Sequence, residues 1–398
     1  MRLKVTWLWF ICTSLTLVTL LVVTFWSSRR RVVVNEESIK AVLSSVSGND
    51  ILTPPKHKMI LYFNAPPHFQ GYEGENVFKK CNVSNCSFST RAANLNYSNV
   101  VIFGHSNLPE VPPLKELGQI WVFTSSESPS HTNMAVTKDR WKGKFNWTMS
   151  YRRHSDFYFG YGKIFPRKVK VERDYSAIFD QKDKDVAWIV SHCGTQSRRE
   201  EYARQMARYV SMDTYGICGD KNCDVYKGNE NDSCHDVVSK KYKFYLSFEN
   251  NICKDYTTEK FYFPFTFDKP IMPVARGAYN MREYVPSVSY IDASDFPSPR
   301  HLARYLSSVA SNKTEYIRLL KLKDEYTSKT SPETFEDSLC AMCEALHGDI
   351  PAKIADVNDV IFKDQCKDPT DLSGDKSVQE IGLNALGRIV SKLKDSIS

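Results

Sequence analysis

Apolar residues fall along this chain in short unbroken runs set between polar, turn-rich stretches. That is the pattern of strands buried on both faces of a parallel sheet, not of half-exposed hairpins. In the first half such runs occupy residues 59–63, 99–103, 119–124 and 145–151. Their connections are loop-rich, which predicts an irregular α/β domain. The second half is more regular. Runs at 186–191, 211–215, 242–248 and 271–275 alternate with helix-period segments at 198–209, 257–265 and 300–309, and 287–291 is a candidate fifth strand. In the helix 198–209, Tyr202, Met206 and Tyr209 share one face. Strands alternating with helices imply right-handed βαβ units and a parallel sheet, so the fold class is α/β.

A different pattern opens the chain. Residues 7–26 form an apolar span without a charged residue, long enough at about 20 residues to cross a bilayer. A cleaved signal peptide would have a shorter apolar core and a small-residue cleavage site, whereas Ser27 and Ser28 lead straight into Arg29, Arg30 and Arg31. A retained anchor is the expectation. The positive-inside rule leaves its orientation nearly tied, with Arg2 and Lys4 on one side and three arginines on the other. Six N-x-S/T sequons follow the span, at Asn82, Asn85, Asn96, Asn146, Asn231 and Asn312. Of eleven cysteines, Cys12 lies in the span and ten lie beyond it. An even set reads as a disulfide framework in an oxidising lumen, in preference to zinc at Cys340 and Cys343 or at Cys218 and Cys223. The organisation expected is therefore a cytoplasmic tail (1–6), a transmembrane anchor (7–26), a stem (27–58), a first α/β domain (59–175), a second (176–346) and a C-terminal tail (347–398). Composition is globular, with 42% hydrophobic and 25% charged residues, and the net charge of +7 suits an anionic ligand. The charge is spread without a long Lys/Arg run in the body, which argues against nucleic acid. No GxGxxG follows a strand, which argues against a dinucleotide dehydrogenase.

Candidate chemistry concentrates at strand ends. The run 242–248 stops at Glu249-Asn250-Asn251, and a helix start carrying Glu259 and Lys260 follows, with Asp255 or Thr257 available as N-cap. Polar groups delivered beside the positive end of a helix are how open α/β sheets hold phosphorylated ligands. Lys260 would face a diphosphate there, and Glu249 and Glu259 would accept from sugar or ribose hydroxyls. Arg199 opens the helix after the strand 186–191, where a guanidinium can fork across phosphate oxygens. Glu127 follows the strand 119–124 amid serines and Pro129, well placed as a general base facing a cleft. The Asp183-Lys184-Asp185 run matches a bare DxD pattern for cation binding but reads better as a solvated linker.

Four separated blocks stand in the order of one known family: ESPSH (127–131), FNWTMSYRRHSD (145–156), SHCGTQSRREEY (191–202) and YKFYLSFENNICKDYTTEK (242–260), with LCAMCE after them. Over roughly residues 59–346 the chain resembles the α-1,3-fucosyltransferases, glycosyltransferase family 10. The resemblance implies a GT-B-like architecture: two Rossmann-like domains facing a cleft, the second holding GDP-fucose and the first an N-acetylglucosamine-containing glycan acceptor. It implies Glu127 as base, Arg199 over Arg198 at the family's arginine register, and Asn250 and Tyr256 beside Glu249, Glu259 and Lys260 around the donor. His131 would lie on the acceptor side or merely order its loop. By the same resemblance, Cys340 and Cys343 tie back to Cys81 and Cys86.

The activity implied is inverting transfer of L-fucose within protein glycosylation, in a type II Golgi membrane protein with its catalytic part in the lumen. No cofactor is required on this reading, with stimulation by Mn2+ or Mg2+ left open. Two departures from the family pattern stand out: His154 where Asp is usual, and the bulky stretch 263–267. They are the best support for one alternative, a catalytically impaired glycan-binding relative; a second alternative is a transferase of the same fold using a different nucleotide sugar.

Overall fold

The computed structural model describes residues 57–221, 233–348 and 353–372, so the expected anchor at 7–26 and nearly all of the expected stem lie outside the described residues. Two all-parallel sheets dominate the fold. The first has six strands, β1 (Lys58–Phe63), β2 (Cys86–Ser89), β3 (Val100–Gly104), β4 (Ile120–Ser125), β5 (Trp147–Ser150) and β6 (Phe157–Tyr158), in the spatial order β2-β1-β3-β4-β5-β6. An antiparallel ribbon pairs β7 (Gly162–Pro166) with the late strand β13 (Tyr326–Thr330). The second sheet orders β8 (Lys184–Ile189), β9 (Met212–Tyr215), β10 (Tyr242–Phe248), β11 (Met272–Arg276) and β12 (Ile291–Asp292) as β12-β11-β10-β8-β9.

Strand β10 is buried at every position because it sits in mid-sheet with helices over both faces. Phe244, Leu246 and Phe248 face a core with Tyr202 and Met206 of α2 (Arg199–Met206), Leu302 and Leu306 of α5 (Pro299–Ala310) and Leu320 of α6 (Lys313–Asp324). Tyr245 points the other way, toward Val238 of α3 (Ser233–Lys241) and Phe263 of α4 (Glu259–Thr266). The aromatic stretch around 263 is thus absorbed by packing: Phe261, Tyr262, Phe263 and Phe265 are all buried. A shorter helix, α1 (Tyr175–Gln181), precedes β8 and is capped by the Asp174 side chain, which accepts from Ala177 N–H.

Two local expectations need correction. Residues 287–291 are not one strand: Pro286 starts a 3-10 turn at Ser287–Ser289, and only Ile291 and Asp292 pair with β11. Helix α2 ends at Met206, so Tyr209 lies beyond it and is exposed rather than sharing its buried face. Cys218 is disulfide-bonded to Cys193.

After the second sheet the chain crosses back. Helix α7 (Ser331–His347) starts with a capping box between Thr330 and Glu333, then lays Phe335, Leu339 and Met342 on the first sheet against Ile60, Phe88 and Val100. Two disulfides staple it there, Cys81–Cys340 and Cys86–Cys343. The next described segment, 353–372, spans both sheets. Val357 and Ile361 pack on Trp121 and Phe145 of the first half, Cys366 bonds Cys253 of the second, and Asp371 pairs with Arg276. Cys234 is also disulfide-bonded.

A buried ion pair joins the two halves more directly. Arg152, after β5, meets Asp255, before α4, with side chains only 4% and 2% exposed. Arg152 Nη1 also donates to Lys254 O (3.0 Å) and its Nε to Val360 O (3.3 Å). Asp255 sits in the left-handed region (φ 61°), and Asn280 both accepts from its N–H (2.7 Å) and donates to its Oδ1 (2.8 Å).

Removing the Cys86–Cys343 bond with paired alanines opens a closure across 257 residues of chain and should cost about 2–5 kcal/mol. The urea midpoint measures this, and an unchanged midpoint would show the staple to be idle. Arg152→Met should cost about 3–5 kcal/mol by leaving a buried carboxylate unpaired. Adding Asp255→Gly, which suits the left-handed backbone, should recover part of that loss in the same denaturation experiment.

Candidate active site

Strand β4 ends at Ser125, and the chain turns at once. Glu127 N–H donates to Ser125 Oγ (3.2 Å), and Thr132 Oγ1 lies 3.0 Å from the carbonyls of Glu127 and Ser128. Pro129 then starts a 3-10 turn through His131. The turn leaves the Glu127 side chain half-buried, facing the end of the second sheet. There Tyr256 OH donates to Glu127 Oε2 at 3.3 Å, and the Tyr256 ring stacks edge-on against Tyr151 (5.1 Å). Tyr161, half-buried beside them, feels Glu127, Glu259 and Glu249 together, and burial first of all raises its phenol. The C-terminal ends of the two sheets therefore face one another across a shared polar region.

On the β10 side the sequence-expected groups are all present but not all free. Glu249 is 2% exposed and turns toward the helix start instead of outward. Its carboxylate accepts from Thr258 N–H (2.7 Å) and Thr258 Oγ1 (2.8 Å). Thr258 is the N-cap residue of α4, and neither Asp255 nor Thr257 caps it. Asp255 is committed to Arg152 and Asn280, and Thr257 Oγ1 lies 2.8 Å from Tyr284 OH. Glu249 thus serves as a cap delivered from the neighbouring strand. Gly277 makes room for it, since a Cβ there would lie 2.4 Å from Glu249 Cγ. Burial pushes the Glu249 carboxyl up, with the Lys260 ammonium pulling the other way.

Lys260 is in the first turn of α4, as expected, but its charge is already shared. Nζ lies 2.8 Å from Glu259 Oε1, 3.0 Å from Thr258 Oγ1 and 3.8 Å from Glu249 Oε2. Burial works against its charge, yet the two carboxylates outweigh it and hold the ammonium above its ordinary value. Glu259, with its side chain 65% exposed, is held below the usual range: burial opposes this, and Lys260 prevails.

Arg199 is buried, and its fork is spent on backbone. Nη1 donates to Phe248 O (2.8 Å) and Nη2 to His192 O (2.7 Å), while Nε has no hydrogen-bond partner. It binds the ends of β8 and β10 together, and its charge opposes that of Lys260. Arg198, in a left-handed conformation, is exposed and pairs with Glu201. Asn250 contributes its carbonyl to Ser197 N–H (3.0 Å), and its side-chain Oδ1 is buried without a partner.

Other expected residues fall differently. His131 Nδ1 lies 3.2 Å from Ser128 Oγ and 3.1 Å from Ser130 Oγ, and its ring stands edge-on to His192 at 5.3 Å. His154 is exposed, and the organising acid of its loop is Asp156, which accepts from Thr148 N–H (2.8 Å). The Asp183-Lys184-Asp185 run sits at the N-terminal end of β8, the edge remote from the strand ends that form the site, and Lys184 pairs with Asp213. Cys86, Cys343 and His347 lie at ligand distance from one another, but both sulfurs are consumed in a disulfide. Asn82, Asn85, Asn96 and Asn312 are exposed. Asn146 is not: its Oδ1 accepts from Trp121 N–H (3.0 Å), and its Nδ2 donates to Lys353 O (3.4 Å). Asn231 lies outside the described residues. Sequence reasoning missed Tyr151, Thr258, Asn251 and His105. The last is half-buried near Glu127, and burial lowers its pKa against the pull of that carboxylate.

The same elements are found in known proteins. Residues 55–162 match the family description "Fucosyltransferase, N-terminal", and residues 179–360 match "Glycosyltransferase family 10 (fucosyltransferase) C-term". Glycoprotein 3-alpha-L-fucosyltransferase A of Drosophila melanogaster is 30% identical over 322 residues, covering 78% of this chain and 61% of that protein. Alpha-(1,3)-fucosyltransferase C of the same organism is 30% identical over 67% of this chain and 65% of its own length. The chain thus spans less than two thirds of either Drosophila relative. Alpha-(1,3)-fucosyltransferase 7 of Bos taurus is 30% identical over 71% of this chain and 78% of that protein. A crystal structure of an alpha1,3-fucosyltransferase with GDP shares the fold, with a TM-score of 0.50 at 14% identity over 76% of this chain and 94% of the other. With both halves matched in order and the two-sheet α/β fold in common, the chain belongs to glycosyltransferase family 10, the fucosyltransferases.

Proposed function

We propose that this protein is an inverting α-1,3-fucosyltransferase that moves L-fucose from GDP-fucose to an N-acetylglucosamine hydroxyl of a glycan. The observation that carries the reading is the 3.3 Å contact between Glu127 and Tyr256, which brings the loop after β4 onto the β10–α4 segment. A general base from one sheet and a cationic helix start from the other then flank one region, as single-displacement sugar transfer requires. The names of the relatives support the sugar, and the GDP in the crystal structure of a neighbour supports the nucleotide.

In this mechanism the Glu127 carboxylate takes the proton of the acceptor hydroxyl as its oxygen bonds to fucose C1. The bond from C1 to the β-phosphate oxygen breaks, and its electron pair leaves with GDP. Lys260 meets the charge that grows on the diphosphate. To do so its ammonium turns from the exposed Glu259 while staying near Glu249. Arg199, whose Nε lies 3.5 Å from Glu200 Oε1, adds a fixed positive charge, and the buried Asn250 Oδ1 is without a hydrogen-bond partner and has capacity to spare. Tyr256 keeps Glu127 aimed at the acceptor. No metal is needed for charge balance on this reading, with stimulation by Mn2+ or Mg2+ left open. A Golgi lumen for the folded part, behind an anchor at 7–26, is supported by the disulfides, which belong in an oxidising compartment.

Glu127→Gln should lower kcat by about 10²–10⁴-fold while GDP affinity by calorimetry stays within about twofold. An equal loss of both would remove Glu127 from the role of base. Lys260→Ala should weaken GDP binding roughly tenfold or more, the scale of a lost charge-assisted hydrogen bond. Unaltered affinity would place the diphosphate elsewhere, and transfer from a different nucleotide sugar in competition would change the donor.

A further inference from the structure

We propose that Asn251 is a positioning residue, which latches the Glu127–His131 turn onto the second sheet and so holds the proposed base in register with the donor side. The inference rests on the proposed transfer. Four side-chain hydrogen bonds join the turn 125–132 to the segment 249–256, and Asn251 makes three of them. Its Nδ2 donates to Ser128 Oγ at 2.9 Å and lies 3.2 Å from His131 Nδ1, while its Oδ1 accepts from Ser130 Oγ at 3.0 Å. The side chain is 3% exposed, so water does not substitute for these partners.

The latch closes around His131 as well. Ser130 Oγ, which donates to Asn251 Oδ1, lies 3.1 Å from His131 Nδ1, and Ser128 Oγ, which accepts from Asn251 Nδ2, lies 3.2 Å from it. The His131 ring stands edge-on to His192 of the loop after β8 at 5.3 Å. One amide from the second sheet thus gathers Ser128, Ser130 and His131, the far end of the turn that carries the proposed base.

The turn has few other restraints. Ser125 and Thr132 close it internally (Oγ to Oγ1, 2.9 Å), and Glu127 reaches Tyr256. Without Asn251 the acceptor side keeps its fold but loses its registration against the donor side. Misplacement of reacting groups by about 1 Å costs on the order of hundredfold in rate.

The test uses the folded luminal protein with GDP-fucose and a glycan acceptor. Asn251→Ala should lower kcat roughly hundredfold with KM for GDP-fucose held within about threefold, and hydrogen exchange should accelerate at residues 125–133. Asn251→Asp keeps an acceptor for Ser130 Oγ but loses the Nδ2 donor to Ser128 Oγ, so it should recover part of the rate lost in Asn251→Ala. A rate loss shared equally between kcat and KM, with exchange at residues 125–133 unmoved in both variants, would overturn the proposal. Should the wild-type protein transfer no fucose at all, the functional reading fails, while exchange at 125–133 still decides the latch. If Asn251→Ala does not fold, the near-isosteric Asp variant carries both readouts.

Discussion

A guanidinium and a carboxylate meet at Arg152 and Asp255 where water barely reaches, and the geometry of the candidate site descends from that pair. Burying two charges is costly, and the cost is offset only by close contact and by further hydrogen bonds to each partner. Both conditions are met. Arg152 also donates to carbonyls of Lys254 and Val360, and Asp255 is gripped by Asn280 and by the Arg153 N–H. The pair holds Asp255 in a backbone conformation that a non-glycine residue rarely adopts. The next residue is Tyr256, whose hydroxyl reaches Glu127. A tie between β5 and the start of α4 is thereby converted into the aim of a phenol.

The cationic side of the site is organised by a second buried carboxylate. Glu249 occupies the helix start that an anion would otherwise use, and with Glu259 it shares Lys260. A site built so does not present a bare ammonium to solvent. It keeps the charge in a low-dielectric setting, paired on one side with a fixed acid and on the other with an exposed one that can let go. Arg199 cannot let go, because its donors hold the carbonyls of Phe248 and His192. One cation is thus held by side chains and the other by backbone carbonyls.

The central strands were legible because burial on both faces leaves an uninterrupted apolar run, as at 242–248, where expectation and structure coincide. The short strands at β2, β6 and β7 carry too few residues to display a period. Helix α7 was not read from the sequence, where its region stood out only through Cys340 and Cys343, and an apolar face would not in any case have named the sheet it covers. The site was legible in residue type and order: Glu127, Glu249, Asn250, Tyr256 and Lys260 lie where two sheets end. What no linear pattern revealed was direction. Glu249 turns inward because Gly277 leaves it room, and Asp255 fails to cap α4 because an arginine about a hundred positions earlier claims it. Asn251 looked like an ordinary turn residue, and only the approach of the 125–132 loop gives it partners.

The return of the chain through α7 has a consequence for biogenesis. The first sheet is nearly complete in sequence by Tyr158, but the helix that covers its apolar face, and the cysteines that secure Cys81 and Cys86, arrive only after Ser331. On a ribosome the early half must therefore wait, with an aromatic surface around Phe69, Tyr72 and Phe88 exposed and two thiols unmatched, until most of the polypeptide has emerged. A stop shortly before position 340 would strand the half that was made first, with Cys81 and Cys86 left without their partners.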